Sequence, residues 1–251
     1  MEQYIKQAGR ASRGTLVRAE QARERYARYV LPILIGYVLL ATASSVALAI
    51  SARQMPYFKV DLTISRALQA IRLNWFDRLM GFVCGLGYPL QSNILGALLL
   101  GFLYRLGFQW EALTAVVATV GSLVIALGLI LFANRPRPSP DLVRVQHKMW
   151  TTSFPSGHTL IFTSVIGFLC FLILKAKLPA LVRAPLLLVF GSIIVLMGPA
   201  RVYSGEHWAS DVVAGYLLGS TWLAIIIKIY KWGRPHYMAS HPKTGKTKWL
   251  E

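Results

Sequence analysis

Acidic residues are scarce in this chain, because 10 Asp and Glu stand against 27 Lys and Arg and leave a formal net charge of +17. Such an excess of positive charge is compatible with nucleic-acid binding, but no basic stripe lies on a soluble segment. Polytopic membrane proteins carry the same excess in their cytoplasmic loops. Since 55% of the residues are hydrophobic and only 15% are charged, we predict a membrane protein with no nucleic-acid partner.

Cysteine is nearly absent as well. Cys84 and Cys170 stand alone in apolar surroundings, which argues against a disulfide framework and against a cysteine metal site.

A cleavable signal peptide is not predicted, because the chain starts with a polar, basic segment, residues 1–29, where a signal peptide has an apolar core. We expect this segment to be cytoplasmic, either as a helix on anionic headgroups or as a solvated tail.

Long uncharged stretches predict an all-α polytopic membrane protein with six transmembrane helices over residues 30–232 and a loop-rich cytoplasmic tail over 233–251. The stretch Val30–Ile50 is long enough to cross the bilayer core. Residues 55–90 alternate apolar and charged positions at helical spacing, which predicts an interfacial amphipathic helix followed by a short apolar helix; a lid or an access rim for a lipid fits equally. The remaining spans are predicted over Ser92–Tyr104, Ala112–Ala133, His158–Leu174, Ala184–Ala200 and Trp208–Ile229.

The distribution of Lys and Arg predicts the orientation. With the N-terminus inside, about 17 cations lie on the inner side and about 10 on the outer side. We therefore expect both termini in the cytoplasm. A bacterial inner (plasma) membrane is the expected location, although the charge distribution does not by itself specify it. Three polar clusters then share the outer face: Arg135-Pro136-Arg137-Pro138, Phe154-Pro155-Ser156-Gly157-His158, and Arg201 with His207 and Asp211.

The three clusters hold the groups that phosphoryl transfer without a metal requires. Arg137 and Arg201 offer planar forks that suit phosphate. Ser156 and Gly157 precede an apolar helix, where a small hydroxyl and free backbone N–H groups can reach an anion. These four residues are the predicted phosphate contacts.

Two histidines supply the predicted catalytic groups. His207 and Asp211 are four residues apart and lie on one helical face. The carboxylate can accept the imidazole N–H and leave the other nitrogen free to attack, so His207 is the predicted nucleophile. His158 remains to protonate the leaving alkoxide. An Arg-Pro pair often merely ends a helix and an interfacial histidine is often only a capped polar residue, but three complementary clusters at one face predict an active site.

These motifs resemble those of the type 2 phosphatidic acid phosphatases, whose active-site plan is similar to that of the vanadium haloperoxidases. Residue types and spacing match for Arg137-Pro138, for Pro155-Ser156-Gly157-His158, and for Arg201, His207 and Asp211. The resemblance implies a phosphohistidine on His207, acid catalysis by His158, phosphate binding by the residues named above, and neither a metal nor another cofactor.

Two positions depart from the family pattern. Ile130 stands where the family has a lysine seven residues before Arg137, and Ala200 stands where the family has a serine. Losing a cation from a phosphate site weakens the stabilisation of transition-state charge. Three other cations are therefore candidates for an additional phosphate or rim contact: Arg135, Arg144 and Lys148.

The predicted function is hydrolysis of a lipid phosphomonoester or pyrophosphate at the outer membrane face. By resemblance, phosphatidic acid, phosphatidylglycerophosphate, undecaprenyl pyrophosphate and lipid A phosphate are candidate substrates. A phosphotransferase is one alternative. A catalytically inactive lipid-binding or transport protein is another, favoured by the missing lysine and opposed by the intact histidines, and haloperoxidase activity is the weakest because those enzymes are soluble. Near the clusters, Glu206 can tune the pocket or be a solvated rim carboxylate, and His147 and Trp150 can cover the site or anchor their loop.

Overall fold

A computed structural model of the chain describes residues 21, 24, 26–147, 149 and 151–241. Lys148 and Trp150, the predicted tail beyond residue 241 and nearly all of the predicted N-terminal segment lie outside the described residues. The chain divides into two units, residues 1–43 and 44–251. In the first unit, a π-helical turn over Tyr26–Val30 leads into α1, Leu31–Gln54, which runs on into the second unit.

The second unit contains helices only within its described residues. Each predicted span corresponds to a helix, and most of these helices begin or end a few residues beyond the predicted bounds. The bounds in chain order are α2 Lys59–Gln69, α3 Asn74–Gly85, α4 Pro89–Arg105, α5 Gln109–Ala133, α6 Gly157–Lys175, α7 Ala180–Tyr203 and α8 Ala209–Ser240.

Five described helices, α1 and α5 to α8, are long and apolar enough to cross a membrane. The helices α3 and α4 meet at a bend of 65° and make a sixth candidate span if the bent pair counts as one. The all-α membrane architecture is thus confirmed, and six spans is consistent with it. The large apolar side chains on these helices that remain exposed, such as Leu131 and Leu188, have the surface that a lipid environment requires.

The loop-rich end predicted from Gly233 onward is wrong at its start, because α8 continues to Ser240 with Pro235 inside it. Gly233 does not end the helix. A Cβ at this position would come 2.3 Å from the Trp110 ring, and the Trp110 indole N–H donates to the carbonyl of Tyr230 at 3.2 Å. The glycine therefore serves close packing between α5 and α8.

Helix α6 lies at the centre of the second unit and packs against α5, α7 and α8. Its closest approach is to α8, where glycines replace side chains: a Cβ on Gly215 would lie 2.8 Å from the Ser156 carbonyl oxygen, and one on Gly219 would lie 2.8 Å from that of Leu160. Small residues let membrane helices approach backbone to backbone. This contact brings the start of α6 beside the start of α8, where two of the polar clusters lie.

The amphipathic segment predicted in residues 55–90 is present as α2 and α3, which pack against α7. In α3, Met80, Val83 and Cys84 are buried against Met197 and Ala200 of α7. In α2, by contrast, the buried residues are Asp61 and Ser65. A buried carboxylate needs a partner, and the partner comes from the loop after α5.

Candidate active site

The loop after α5 begins with a left-handed residue, Asn134, at φ 44°, a conformation that asparagine adopts more readily than most residues. Arg135 follows and is fully buried. Its guanidinium lies between two buried carboxylates, with Nη2 donating to Asp61 at 2.8 Å and Nη1 donating to Asp211 at 2.5 Å. The same Nη1 donates to the Ser210 hydroxyl at 2.8 Å.

The Arg135 guanidinium has further partners that leave it little capacity for the predicted phosphate contact. Besides those bonds, its Nε donates to the Pro56 carbonyl at 3.2 Å and its guanidinium lies over the Phe58 ring. Asp61 also accepts the Ser210 backbone N–H at 2.8 Å. The guanidinium of Arg135 thus connects α2 to the start of α8 through its ion pairs with Asp61 and Asp211.

Arg137, a predicted phosphate contact, lies beside His207. Its Nε and Nη2 are held by Thr151, at 2.9 Å from the carbonyl and 3.0 Å from the hydroxyl. Its Nη1 donates to the Glu206 carbonyl at 2.6 Å and lies 3.3 Å from Nε2 of His207. The Arg137 guanidinium is thereby fixed beside the nitrogen that we predict to be the nucleophile.

His207 is almost fully buried, with 3% of its surface exposed. Its Nδ1 lies 2.8 Å from the Ser153 carbonyl oxygen and 3.7 Å from Oδ2 of Asp211. A carbonyl only accepts, so Nδ1 carries the proton, and Nε2 keeps the lone pair, to which Nη1 of Arg137 donates at 3.3 Å. The expectation that Asp211 itself accepts this N–H is corrected here, because 3.7 Å exceeds hydrogen-bond distance.

The charge state of His207 also suits a nucleophile. Burial lowers the pKa of His207 from its usual value, Arg137 lowers this pKa further, and Asp211 opposes the change. The neutral ring is the form that can attack phosphorus. Asp211 accepts the Trp208 backbone N–H at 2.9 Å through its side chain and the Ser156 backbone N–H at 3.0 Å through its carbonyl, so it holds the turn that carries the histidine.

Arg201 is fully buried at the end of α7 and forms an ion pair with Glu206 through Nη1. Its Nε and Nη2 are buried without a hydrogen-bond partner anywhere in the described chain. An unpaired buried donor costs about 1–3 kcal/mol, and a site keeps such donors where a ligand will satisfy them. The N–H groups on these two nitrogens of Arg201 are therefore suited to phosphate oxygens.

The bend between α3 and α4 places backbone beside these groups. A Cβ built on Gly87 would lie 2.1 Å from Nη2 of Arg201 and 2.7 Å from Cδ2 of His158. Arg201 and His158 therefore lie around one point, although 43 residues separate them along the chain. Tyr88, the next residue, lies under the Arg201 guanidinium at 5.6 Å from its ring centroid.

Replacing Gly87 with alanine is expected to lower kcat on the order of 10²-fold, because the methyl group must displace the Arg201 guanidinium or the His158 ring and small misplacements of catalytic groups are costly. The matched control is Gly85→Ala, where a Cβ meets nothing within 4 Å. Initial rates of phosphate release from both purified variants measure the effect. Equal loss in both would assign it to the backbone change instead of to the site.

The second cluster differs in part from expectation. The Ser156 backbone N–H already donates to Asp211, and its hydroxyl shares a hydrogen bond of 2.9 Å with the Thr159 hydroxyl. Gly157 and His158 open α6, where first-turn N–H groups have no intrahelical acceptor. Phosphate binding at this cluster therefore remains a prediction that fits Gly157 better than Ser156.

Of the other two candidate contacts, the structure describes only Arg144, whose side chain has its partners away from the site. Arg144 is half exposed, lies 3.7 Å from Asp77 and stacks over the Tyr203 ring, and Lys148 is outside the described residues. Ile130 lies on the last turn of α5, and Ala200 is buried in the packing between α3 and α7.

Sequence reasoning underrated Glu206 and missed three further groups. Glu206 is 1% exposed, and it accepts hydrogen bonds from the Tyr88 hydroxyl at 3.3 Å and from the Cys84 thiol at 3.5 Å, so it is no solvated rim carboxylate. His147 covers this edge, with Nδ1 at 2.8 Å from the Tyr88 hydroxyl. Backbone groups leave no side-chain signal in a sequence, which is why three were missed: the Ser153 and Glu206 carbonyls and the Gly87 backbone.

Comparison with known proteins identifies the family. The model of the PAP2 superfamily matches residues 109–235, a range that contains all three clusters. The chain belongs to the PAP2 superfamily. It is 31% identical over 166 residues to phosphatidylglycerophosphatase B of Bacillus subtilis, a match that covers 63% of this chain and 77% of that protein. It is also 39% identical over 75 residues to the undecaprenyl-diphosphatase of Sulfolobus acidocaldarius, which covers 30% of this chain and 31% of that protein.

Two crystal structures resemble this PAP2 chain. The transmembrane PAP2-type phosphatidylglycerolphosphate phosphatase from Bacillus subtilis aligns with a TM-score of 0.65 at 23% identity, over 79% of this chain and 96% of that chain. LpxE from Aquifex aeolicus aligns with a TM-score of 0.54 at 26% identity, over 68% of this chain and 96% of that chain. The fold is thus that of a PAP2 integral membrane phosphatase.

Proposed function

We propose that this PAP2 protein is a lipid phosphatase that hydrolyses a lipid phosphomonoester or pyrophosphate through a phosphohistidine on His207. The observation that carries the proposal is the pair of unpartnered nitrogens, Nε and Nη2, on buried Arg201, which lies next to His158. Arg137 adds a second fixed guanidinium at 3.3 Å from Nε2 of His207. Two guanidinium groups can stabilise the negative charge on the three equatorial oxygens of the phosphoryl group while it is transferred.

In the first step, Nε2 of His207 forms a bond to phosphorus while the bond from phosphorus to the leaving oxygen breaks. His158 gives its proton to that oxygen, which leaves as an alcohol or as a lipid monophosphate. In the second step, a water molecule gives a proton to His158 and attacks phosphorus, which breaks the P–N bond. Inorganic phosphate leaves, and both histidines return to their starting states.

A lipid substrate is supported by the position of the site and by its relatives. The segment from α2 to the start of α3 carries charged and exposed apolar residues beside the site, among them Arg66, Leu73 and Trp75, as expected at a bilayer surface. Relatives named for phosphatidylglycerophosphate and undecaprenyl diphosphate make these two lipids the first substrates to test. Phosphatidic acid and lipid A phosphate are the others.

The charge bias supports placing the site on the outer face of a bacterial inner membrane, with both termini in the cytoplasm. The hydrogen bond from Ser156 to the Asp211 carbonyl and the contact between Arg137 and His207 unite the three clusters at one end of the helices. One orientation therefore places the whole site on one side.

The proposal is tested with purified protein in detergent containing EDTA and a panel of the four lipid phosphates. We expect inorganic phosphate from at least one of them, at a rate that EDTA leaves unchanged. Loss of activity in EDTA would contradict the metal-free mechanism. Transfer of phosphate to an added lipid or sugar without phosphate release would indicate a transferase, and lipid binding without either product would indicate an inactive binding protein.

A further inference from the structure

A cavity of about 810 Å³ lies beside the active site and has no part in the proposed reaction. It is bounded by the end of α2, the start of α3, Tyr203 at the end of α7, and residues 140–144 of the long loop that connects α5 to α6. Its volume is in the range of ligand-binding pockets. The residues that line it, all within the described chain, include neither of the two histidines of the proposed reaction.

Three guanidinium groups and two carboxylates line the cavity, namely those of Arg66, Arg72, Arg144, Asp77 and Asp141. Its wall therefore has a formal excess of one positive charge. The Asp77 carboxylate is shared between Arg144 at 3.7 Å and the Tyr203 hydroxyl at 3.0 Å.

The two remaining arginines are less committed. Arg66 uses Nε to donate to the Leu142 carbonyl at 3.2 Å, and neither Arg66 nor Arg72 has a carboxylate within ion-pair distance among the residues that the structure describes. Both side chains are exposed at the cavity. Two arginines without counter-charges, facing one space, favour an anionic occupant.

The wall of the cavity is held by specific hydrogen bonds. Gln69 donates from Nε2 to the carbonyls of Arg144 at 2.7 Å and Tyr203 at 2.9 Å, and its Oε1 accepts the Arg144 backbone N–H at 2.9 Å. One amide therefore joins α2, the long loop and the end of α7. The cavity is defined by this junction and does not depend on a loose loop.

Exposed apolar side chains beside the cavity indicate what kind of anion fits. Leu73 lines the cavity and is 51% exposed, and Trp75, two residues on, is 63% exposed. Aromatic and apolar residues next to arginines are typical of the headgroup level of a bilayer. A soluble anion has no apolar part that could contact this edge, whereas a phospholipid would place its acyl chains along it.

We propose that this cavity binds the headgroup of an anionic phospholipid, such as phosphatidylglycerol, that is distinct from the lipid being hydrolysed. The phosphodiester would lie against Arg66 and Arg72, and the acyl chains would pass Leu73 and Trp75. The inference rests on the proposed function only in placing the cavity at the bilayer surface.

The cavity wall also touches the catalytic turn. A Cβ on Gly205 would lie 2.2 Å from the Arg144 carbonyl oxygen, and the Gln146 backbone N–H donates to the Ser204 carbonyl at 3.0 Å. Gly205, with φ +70°, directly precedes Glu206 and His207. A lipid bound against residues 142–144 would therefore contact the segment that supports the turn carrying the nucleophile.

The test is a titration of the full-length protein, in detergent, with short-chain phosphatidylglycerol, read as bound lipid by native mass spectrometry. The double variant Arg66→Gln/Arg72→Gln is compared with the control Arg105→Gln/Lys175→Gln. The control removes two exposed cations from the C-terminal ends of α4 and α6, whose N-terminal ends lie at the site. We expect the first double variant to bind roughly tenfold more weakly than wild type and the second to bind like wild type.

Equal binding by the two double variants would overturn the proposal, as would equally tight binding of phosphatidylcholine. Displacement of the lipid by glycerol 3-phosphate at the same concentration would assign the cavity to a soluble anion instead. Arg72→Gln alone, which removes no hydrogen bond recorded in the described structure, should weaken binding in the same direction with an unchanged Tm. Because phosphatidylglycerol is a phosphodiester, its binding is read without turnover and does not depend on whether the protein hydrolyses any lipid.

Discussion

Replacing His207 with alanine is expected to lower kcat for phosphate release on the order of 10⁴-fold or more, because the variant has no nitrogen to accept the phosphoryl group. In the structure, Nδ1 of this ring donates to the Ser153 carbonyl at 2.8 Å and Nε2 lies beside Arg137, so the attacking atom is already directed. Initial rates on the preferred lipid, measured at several concentrations, separate kcat from KM. We expect KM to change little, since both arginines remain.

The matched control for this substitution is His236→Ala, which removes an exposed histidine near the other end of α8. A second readout is the covalent intermediate. After brief mixing with lipid labelled in the transferred phosphate, wild type and His236→Ala should retain acid-labile label on the protein, and His207→Ala should retain none. Activity of His207→Ala within tenfold of wild type would place the nucleophile elsewhere, and water attacking phosphorus directly would be the simplest replacement.

Replacing Arg135 with alanine is expected to cost about 3–5 kcal/mol of stability, because it leaves two buried carboxylates without their counter-charge. Asp61 and Asp211 are both 0% exposed, and Arg135 is their shared ion-pair partner. The measurement is the Tm of purified protein in detergent. The control Arg105→Ala removes an exposed arginine and should leave Tm nearly unchanged.

This prediction separates a structural role for Arg135 from a phosphate-binding one. If Arg135 bound phosphate, its replacement would reduce activity at an unchanged Tm, and that outcome would contradict the structural role. Replacing Asp61 with alanine should lower Tm as well, since it leaves the Arg135 guanidinium with one carboxylate in place of two. If it did not, Asp211 alone would suffice to balance the charge, and the link from α2 to α8 would be dispensable.

Much of the site was predictable from local sequence. His158, Arg137, Arg201 and His207 stand in short motifs whose spacing is fixed by the helix ends that carry them, and the structure places Arg137 beside His207 and Arg201 beside His158. Hydropathy likewise predicted the helices, most of them within a few residues of their observed bounds, since a membrane span must satisfy its backbone hydrogen bonds internally.

The roles of charged residues were harder to predict. Arg135 and Arg137 are two residues apart in one motif, yet one joins buried carboxylates and the other lies at the nucleophile. Glu206 is next to His207 in sequence, and only its ion pair with Arg201 shows that it balances charge inside the site. A sequence shows which charges are present, but which charges pair depends on contacts between distant helices.

The sequence by itself determined the membrane-spanning helices, the polar clusters at their ends and the residue types available for phosphoryl transfer, because periodicity, apolar length and motif spacing are local properties. Only the tertiary structure decided that the Ser153 carbonyl holds His207, that Gly87 faces Arg201 and His158, and that Asp61 takes up the charge of Arg135. These contacts join residues between about 50 and 115 positions apart, where no local pattern fixes the distance and helix packing does.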